Sequence, residues 1–189
     1  MTLITRRQFA TASLALSAPA WAQGKPIRII VPYPPGGATD VATRLLAPRL
    51  QEELKQNVIV DNKPGANSII GNDAVAKATP DGHTFLFTPS SAIALNPIVM
   101  AKMPYDTIKD LLPVAQVGQS GFLLMASPNA GFKSLQDMVQ YAKANPGKLT
   151  YGTWGNGSSG HLAMEGIKLH YGLDMPHVPY KGSAPLVND

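Results

Sequence analysis

The 189-residue chain contains no cysteine, which excludes disulfides, a thiolate metal site and the lipid-bearing cysteine of an anchored lipoprotein. Aromatic residues make up only 7%, and no apolar run approaches the roughly 20 residues that a membrane-spanning helix needs. A large basic surplus is also missing. The formal charge is +4, two units of it from Arg6 and Arg7, so there is no electrostatic case for a nucleic-acid partner. Internal repeats, low-complexity tracts and charge runs are absent as well. Such a chain must hold together by its apolar core alone, and its length suits one domain or two small lobes.

Residues 1–22 read as a signal peptide. Arg6 and Arg7 form a charged start, a mild apolar run extends from Ala10 to Ala18, and Ala20-Trp21-Ala22 gives an A-x-A cleavage site. Thr11, Ser13 and Ser17 dilute the apolar run, which argues against a membrane anchor. The Thr5-Arg6-Arg7-Gln8-Phe9 arrangement fits the twin-arginine export address, with an ordinary secretory signal as the alternative. Cleavage near Ala22 would release a soluble periplasmic protein.

Strands and helices then alternate. Ile27 to Tyr33 is a β-branched run ending in Pro34-Pro35-Gly36-Gly37, a buried strand entering a glycine-rich turn. Val41, Leu45, Leu46, Leu50 and Leu54 recur at helical spacing, with Thr39 or Asp40 placed as a cap and Pro48 expected to kink or split the helix. Val58 to Val60 is a second strand, Ile69 to Ala78 a helix and His83 to Thr88 a third strand. This β-α-β-α-β series favours parallel pairing. Residues 23–110 are assigned to lobe one, whose last part, Pro89 to Lys109, suits a crossing segment.

Lobe two, residues 111–189, is expected to hold strands at Val114–Val117 and Phe122–Ala126, then a helix opened by the capping pattern Ser134-Leu135-Gln136-Asp137 and stopped at Asn145-Pro146-Gly147. A strand at Lys148–Trp154, a helix at His161–Tyr171, a strand at Met175–Tyr180 and the beginning of a further helix after Ser183 complete it. The lobe looks incomplete at Asp189, and a chain of this extent is expected to be marginally stable, with sheet edges uncovered. The fold class is α/β.

Two glycine-rich turns each leave a strand and enter a helix: Tyr33 to Asp40, and Thr153 to His161. Helix-start amides lack intrahelical partners and carry a partial positive charge, and glycine lets a ligand approach them closely. Each turn is either an anion cradle or a tight connection; one per lobe suits a dicarboxylate bridging a cleft. Gly155-x-Gly157-x-x-Gly160 also matches a dinucleotide fingerprint, and an exported NAD(P)-dependent oxidoreductase is the runner-up. Asp174, however, precedes its strand instead of closing it.

His161 and Glu165 lie at i, i+4, which reads as a hydrogen-bonding pair before a metal site. Asp40 reads as a helix cap before a general base. Ser158 and Ser159 lack the flanking glycines of a hydrolase elbow. Tyr33 and Trp154 could wall a ligand or pack in the core, and Ser90 and Ser91 lie where parallel sheets present polar groups to a crevice.

Five segments carry a resemblance: Pro32 to Gly37 with Asp40, Asn62 to Ala66, Ala78 to Gly82, Asn145 to Leu149, and His177 to Gly182. Through them the sequence, from Lys25 to Asp189, resembles the extracytoplasmic solute receptors of tripartite tricarboxylate transporters, the Bordetella uptake gene (Bug) or TctC-like family. The resemblance implies a two-lobed periplasmic-binding-protein fold of type II, whose C-terminal part lies beyond this chain. It also implies capture of a small carboxylate and its delivery to a permease with a large and a small subunit. No catalysis, cofactor or metal is expected, and the receptor is expected to be a monomer. A periplasmic sensor subunit is a further alternative.

By position the resemblance assigns ligand binding to Tyr33, Gly36, Gly37, Ala38, Thr39 and Asp40, and to Thr153, Gly155, Gly157, Ser158 and His161. Asn67-Ser68 departs from a more glycine-rich pair, His83 stands where an aromatic is usual, and Trp154 enters the second loop.

Overall fold

The computed structural model describes residues 24–189, so the signal peptide expected at residues 1–22 lies outside the described residues. The β-branched run forms strand β1 (Ile27–Val31), in which Ile27, Ile29, Ile30 and Val31 are buried. Burial on both faces is what a central parallel strand requires. β1 is flanked in parallel by β2 (Val58–Asn62) and β3 (Thr84–Leu86), giving the order β2-β1-β3. The crossovers are helix α1 (Ala38–Leu54) and helix α2 (Ile69–Ala76).

Helix α1 departs from the expected pattern twice. Pro48 lies inside it without splitting it. The face turned inward is Asp40, Thr43 and Ala47, whereas Val41, Leu45 and Leu54 are exposed. Much of the apolar stripe therefore points outward, with Leu46 and Leu50 half-buried, and a polar network holds the inner face.

Short helices α3 (Ser90–Ala94) and α4 (Asn96–Val99) follow β3. Residues 111–127 contain no strand. The strands expected at Val114–Val117 and Phe122–Ala126 do not form: among the described residues these segments pair with no strand, and a strand needs partners for its backbone hydrogen bonds. Leu112, Val114, Leu123 and Met125 are exposed there.

The second sheet pairs β4 (Tyr151–Thr153) with β5 (His177–Pro179) in parallel. Helix α5 (Leu135–Ala144) precedes β4, helix α6 (Ser159–Tyr171) joins the two strands, and α7 (Ser183–Asn188) follows β5. The expected cap of α5 forms: Ser134 Oγ accepts the Asp137 amide at 3.1 Å, and the Asp137 carboxylate accepts the Lys133 amide at 2.9 Å. Met138, Val139, Ala142, Tyr151, Met164, Leu173 and Met175 make the core of this half.

No helix among the described residues is long and apolar enough to cross a membrane.

Candidate functional site

The first glycine loop runs from the end of β1 into α1. Gly37 is the N-cap of α1, and no side chain caps it. Asp40, 2% exposed, reaches back instead, accepting the Gly36 amide at 2.8 Å, the Arg44 guanidinium at 3.0 Å and the Asn62 carboxamide at 2.9 Å. Burial raises its pKa, but the hydrogen bonds from Arg44, Gly36 and Asn62 outweigh burial and hold it below the usual value. Asn62 also donates to the Tyr33 carbonyl at 3.0 Å. Asp40 is thus the anchor of the loop. Thr39 does not cap the helix; its carbonyl accepts Thr43 Oγ1 at 2.7 Å.

Tyr33 is buried, and burial raises its phenol pKa while a hydrogen bond with Ser68 works the other way. The amide of exposed Ala38 faces Ser183 Oγ at 3.4 Å, at the start of α7.

The second loop runs from β4 into α6. Gly155 and Gly157 have φ of +149° and +71°, conformations that glycine adopts without steric cost. Thr153 Oγ1 bonds the Gly155 carbonyl at 3.2 Å and His177 Nε2 at 2.7 Å. Ser158, the N-cap of α6, accepts the His161 amide at 3.3 Å, and His161 Nδ1 accepts the Gly157 amide at 3.0 Å. The first helical amides, at Ser159 and Gly160, are by geometry without an intrahelical partner. The Trp154 ring packs against Gly160: a Cβ there would sit 2.6 Å from its Cη2. Phe122 packs beside Trp154, with ring centroids 5.4 Å apart.

The two loops belong to different sheets, and each meets the opposite half of the chain. A Cβ on Gly37 would lie 3.1 Å from Ser183 Oγ. On the other side, a Cβ on Gly155 would lie 3.2 Å from Asn67 Oδ1, and one on Gly157 would lie 2.7 Å from Val99 Cγ2. Asn67 and Val99 belong to the turn before α2 and to α4.

Sequence reasoning placed the loops but missed what faces them. Asn67, Asn96 and Ser183 carry no motif signal, and only the fold brings them together. Ser90 and Ser91 open α3, one exposed and one half-buried, and among the described residues no hydrogen bond ties their hydroxyls to either loop. His161 Nε2 lies 3.9 Å from Glu165, whose carboxylate is committed to Lys168 at 2.7 Å and to the Tyr151 hydroxyl. A cavity of about 720 Å³ opens among Ile93, Pro97, Met100, Tyr105 and Ile108. It shares no residue with either loop, and its mainly apolar wall has no array of amides for an anion.

Geometry does not favour the dinucleotide alternative. Asp174 accepts the Gly147 amide through its carbonyl at 3.0 Å, at the start of the parallel pair, while the Gly155 loop lies at the other end. A ribose-binding acid must stand at the loop end.

Comparison with known proteins agrees with this arrangement. The profile of the tripartite tricarboxylate transporter family receptors (TctC) matches residues 42–189. Protein BugT of Bordetella pertussis is 41% identical over 182 residues, covering 94% of this chain and 56% of BugT. Among solved structures, Rpa4515 of R. palustris with adipate is 36% identical, with a TM-score of 0.83, over 87% of this chain and 55% of that one. MatC of Rhodopseudomonas palustris with bound malate is 26% identical, with a TM-score of 0.80, over 86% and 55%. The chain therefore spans about half the length of the relatives it matches. With its parallel sheets, its two glycine loops and these matches, the chain belongs to the tripartite tricarboxylate transporter receptor (TctC, or Bug) family.

Proposed function

We propose that the protein is a periplasmic receptor that takes a small organic acid, a di- or tricarboxylate or a related carboxylate, between two lobes. It delivers this ligand to the large and small permease subunits of a tripartite transporter. The observation that carries the reading is the placement of two glycine loops, each at the start of a long helix, in the two halves of the chain. Helix α1 has 17 residues and no side-chain cap, and α6 has 13 with only its His161 amide capped, so each offers first-turn amides and a dipole to an anion. Adipate and malate in the two related structures support the same ligand class.

In this reading lobe one comprises residues 23–110 and lobe two 111–189. The amides near Gly37, Ala38 and Thr39 hold one carboxylate. Those of Ser159 and Gly160, which follow the turn of Gly155, Gly157 and Ser158, hold the other, and Ser90 and Ser91 lie at the edge of the cleft. Tyr33, Gly36, Asp40, Thr153 and His161 each engage a polar group inside the protein, so their part is to shape the loops. The receptor binds and releases without chemistry, acts as a monomer, and reaches the periplasm after cleavage near Ala22.

Calorimetric titration with monocarboxylates, dicarboxylates, tricarboxylates and amino acids tests this. The expected dissociation constant is in the micromolar range, about −8 kcal/mol. Absence of heat with every acid would sink the proposal.

A further inference from the structure

Ala66, Asn67 and Ser68, the turn before α2, have φ of +47°, +50° and +72°. Side-chain-bearing residues adopt this left-handed conformation rarely, and it persists where the surroundings enforce it. Here the enforcing residue is Asn96, fully buried at the start of α4. Its Nδ2 donates to the Asn67 carbonyl at 2.9 Å and to Ser68 Oγ at 3.3 Å.

That contact fixes both carboxamides. A backbone carbonyl only accepts, so Asn96 must present its NH₂ there and its Oδ1 on the other side. Asn96 Oδ1 accordingly accepts Asn67 Nδ2 at 2.8 Å. Asn67 Oδ1 is then turned away from Asn96 and toward the second glycine loop, where a Cβ on Gly155 would lie 3.2 Å from it. Among the described residues no donor reaches Asn67 Oδ1. The half-buried side chain thus holds a rigid, unpaired acceptor against the loop that opens α6.

We propose that Asn67 is a specificity-determining residue, whose Oδ1 selects carboxylates carrying a hydroxyl or ammonium donor beside the carboxylate held at the second loop. This rests on the carboxylate reading above. Water satisfies Oδ1 while the site is open. When a ligand displaces that water, an acid with a donor pairs with Oδ1, whereas a plain acid leaves it unpaired and sets oxygen lone pairs against it. A polar site built for a ligand donor discriminates against the analogue lacking it by about tenfold or more.

Calorimetry on the purified protein with pairs differing only in the donor tests this: succinate against L-malate and L-aspartate, and adipate against 2-aminoadipate. The wild type should favour the donor-bearing member of the better-binding pair by about tenfold or more. Asn67→Gly, which adopts the left-handed turn without strain, should bring the pair within about threefold while still binding the plain acid. Asn67→Asp keeps the acceptor and should keep the preference, with weaker binding overall. Equal wild-type affinities, or a preference that survives Asn67→Gly, overturns the proposal. Absence of heat with all these acids instead overturns the carboxylate reading, and the proposal with it.

Discussion

His161 and His177 stack face to face, with ring centroids 4.1 Å apart and an interplanar angle of 13°. The pair lies directly under the second glycine loop. His161 Nδ1 holds the Gly157 amide and His177 Nε2 meets Thr153 Oγ1, so the rings link the loop to β4 and β5. Tyr151 stacks on His177 at 4.9 Å, with Glu165 and Lys168 of α6 at the rim.

This stack makes stability depend on pH. Burial lowers the His177 pKa below its usual value, and neighbouring His161 lowers it further, while Glu165 opposes them and Lys168 adds to them. The unfolded chain, with an ordinary imidazole, therefore binds a proton more readily than the folded one. Stability is full above the unfolded value, near 6.5, and declines as pH falls from there through the folded value. Asp40 and Glu165 have lowered pKa values and respond only at more acidic pH. Thermal melts should show Tm falling between pH 7.5 and 5.5, with a shallower fall in His177→Asn. An identical slope in wild type and variant would show that another group is responsible.

Asp40→Ala should detach the first loop. It removes the acceptor for the Gly36 amide and for Asn62, and leaves Arg44 without its partner. Arg44 is half exposed, so water takes over much of that pair. The expected destabilisation is about 1–3 kcal/mol, mostly from the two inward hydrogen bonds. Tm should fall by several degrees, with Asp40→Asn between it and wild type. A melt unchanged by Asp40→Ala would mean that the network does not hold the loop.

How much of this was legible in the chain depends on the distance over which each feature is determined. Ile27–Val31 reads as a buried strand because its own side chains require burial, and Ser134 with Asp137 reads as a cap because both partners lie within one turn. Helix α1 misleads, because its leucines suggest the inward face while the network of Asp40, Arg44 and Asn62 takes that place. Asn62 is 22 residues from Asp40, and nothing local announces it. The strands expected at Val114–Val117 and Phe122–Ala126 have strand composition but no neighbour, and a strand exists only as part of a pair. Asn67 stood out only as a departure from glycine. Its role emerges from Asn96, 29 residues away, and from the approach of the second loop.

Gly160→Ala separates packing from helix propensity. The new Cβ would lie 2.6 Å from Trp154 Cη2 and 2.8 Å from Cζ3, so the indole must move. The ring is the far end of a flexible side chain, and alanine gains about 0.5–1 kcal/mol over glycine in a helix. The two effects should nearly cancel in Tm. Trp154 emission should nevertheless shift, and it reads out alone in a Trp21→Phe background. An unchanged spectrum would place the indole elsewhere.

The exposed segment around residues 112–125 gives the last prediction. Leu112 and Leu123 are 89% and 85% exposed, with Val114, Phe122 and Met125 also in solvent. Exposed apolar side chains of this kind bind apolar dyes. Exposed as they are, these side chains should raise the fluorescence of anilinonaphthalene sulfonate. Leu112→Lys with Leu123→Lys touches no packed side chain, so Tm should change by no more than about 0.5 kcal/mol equivalent per site. Dye fluorescence should nevertheless drop in the double variant. Should the substitutions lower Tm by many degrees, these leucines are buried in solution and the segment packs against something.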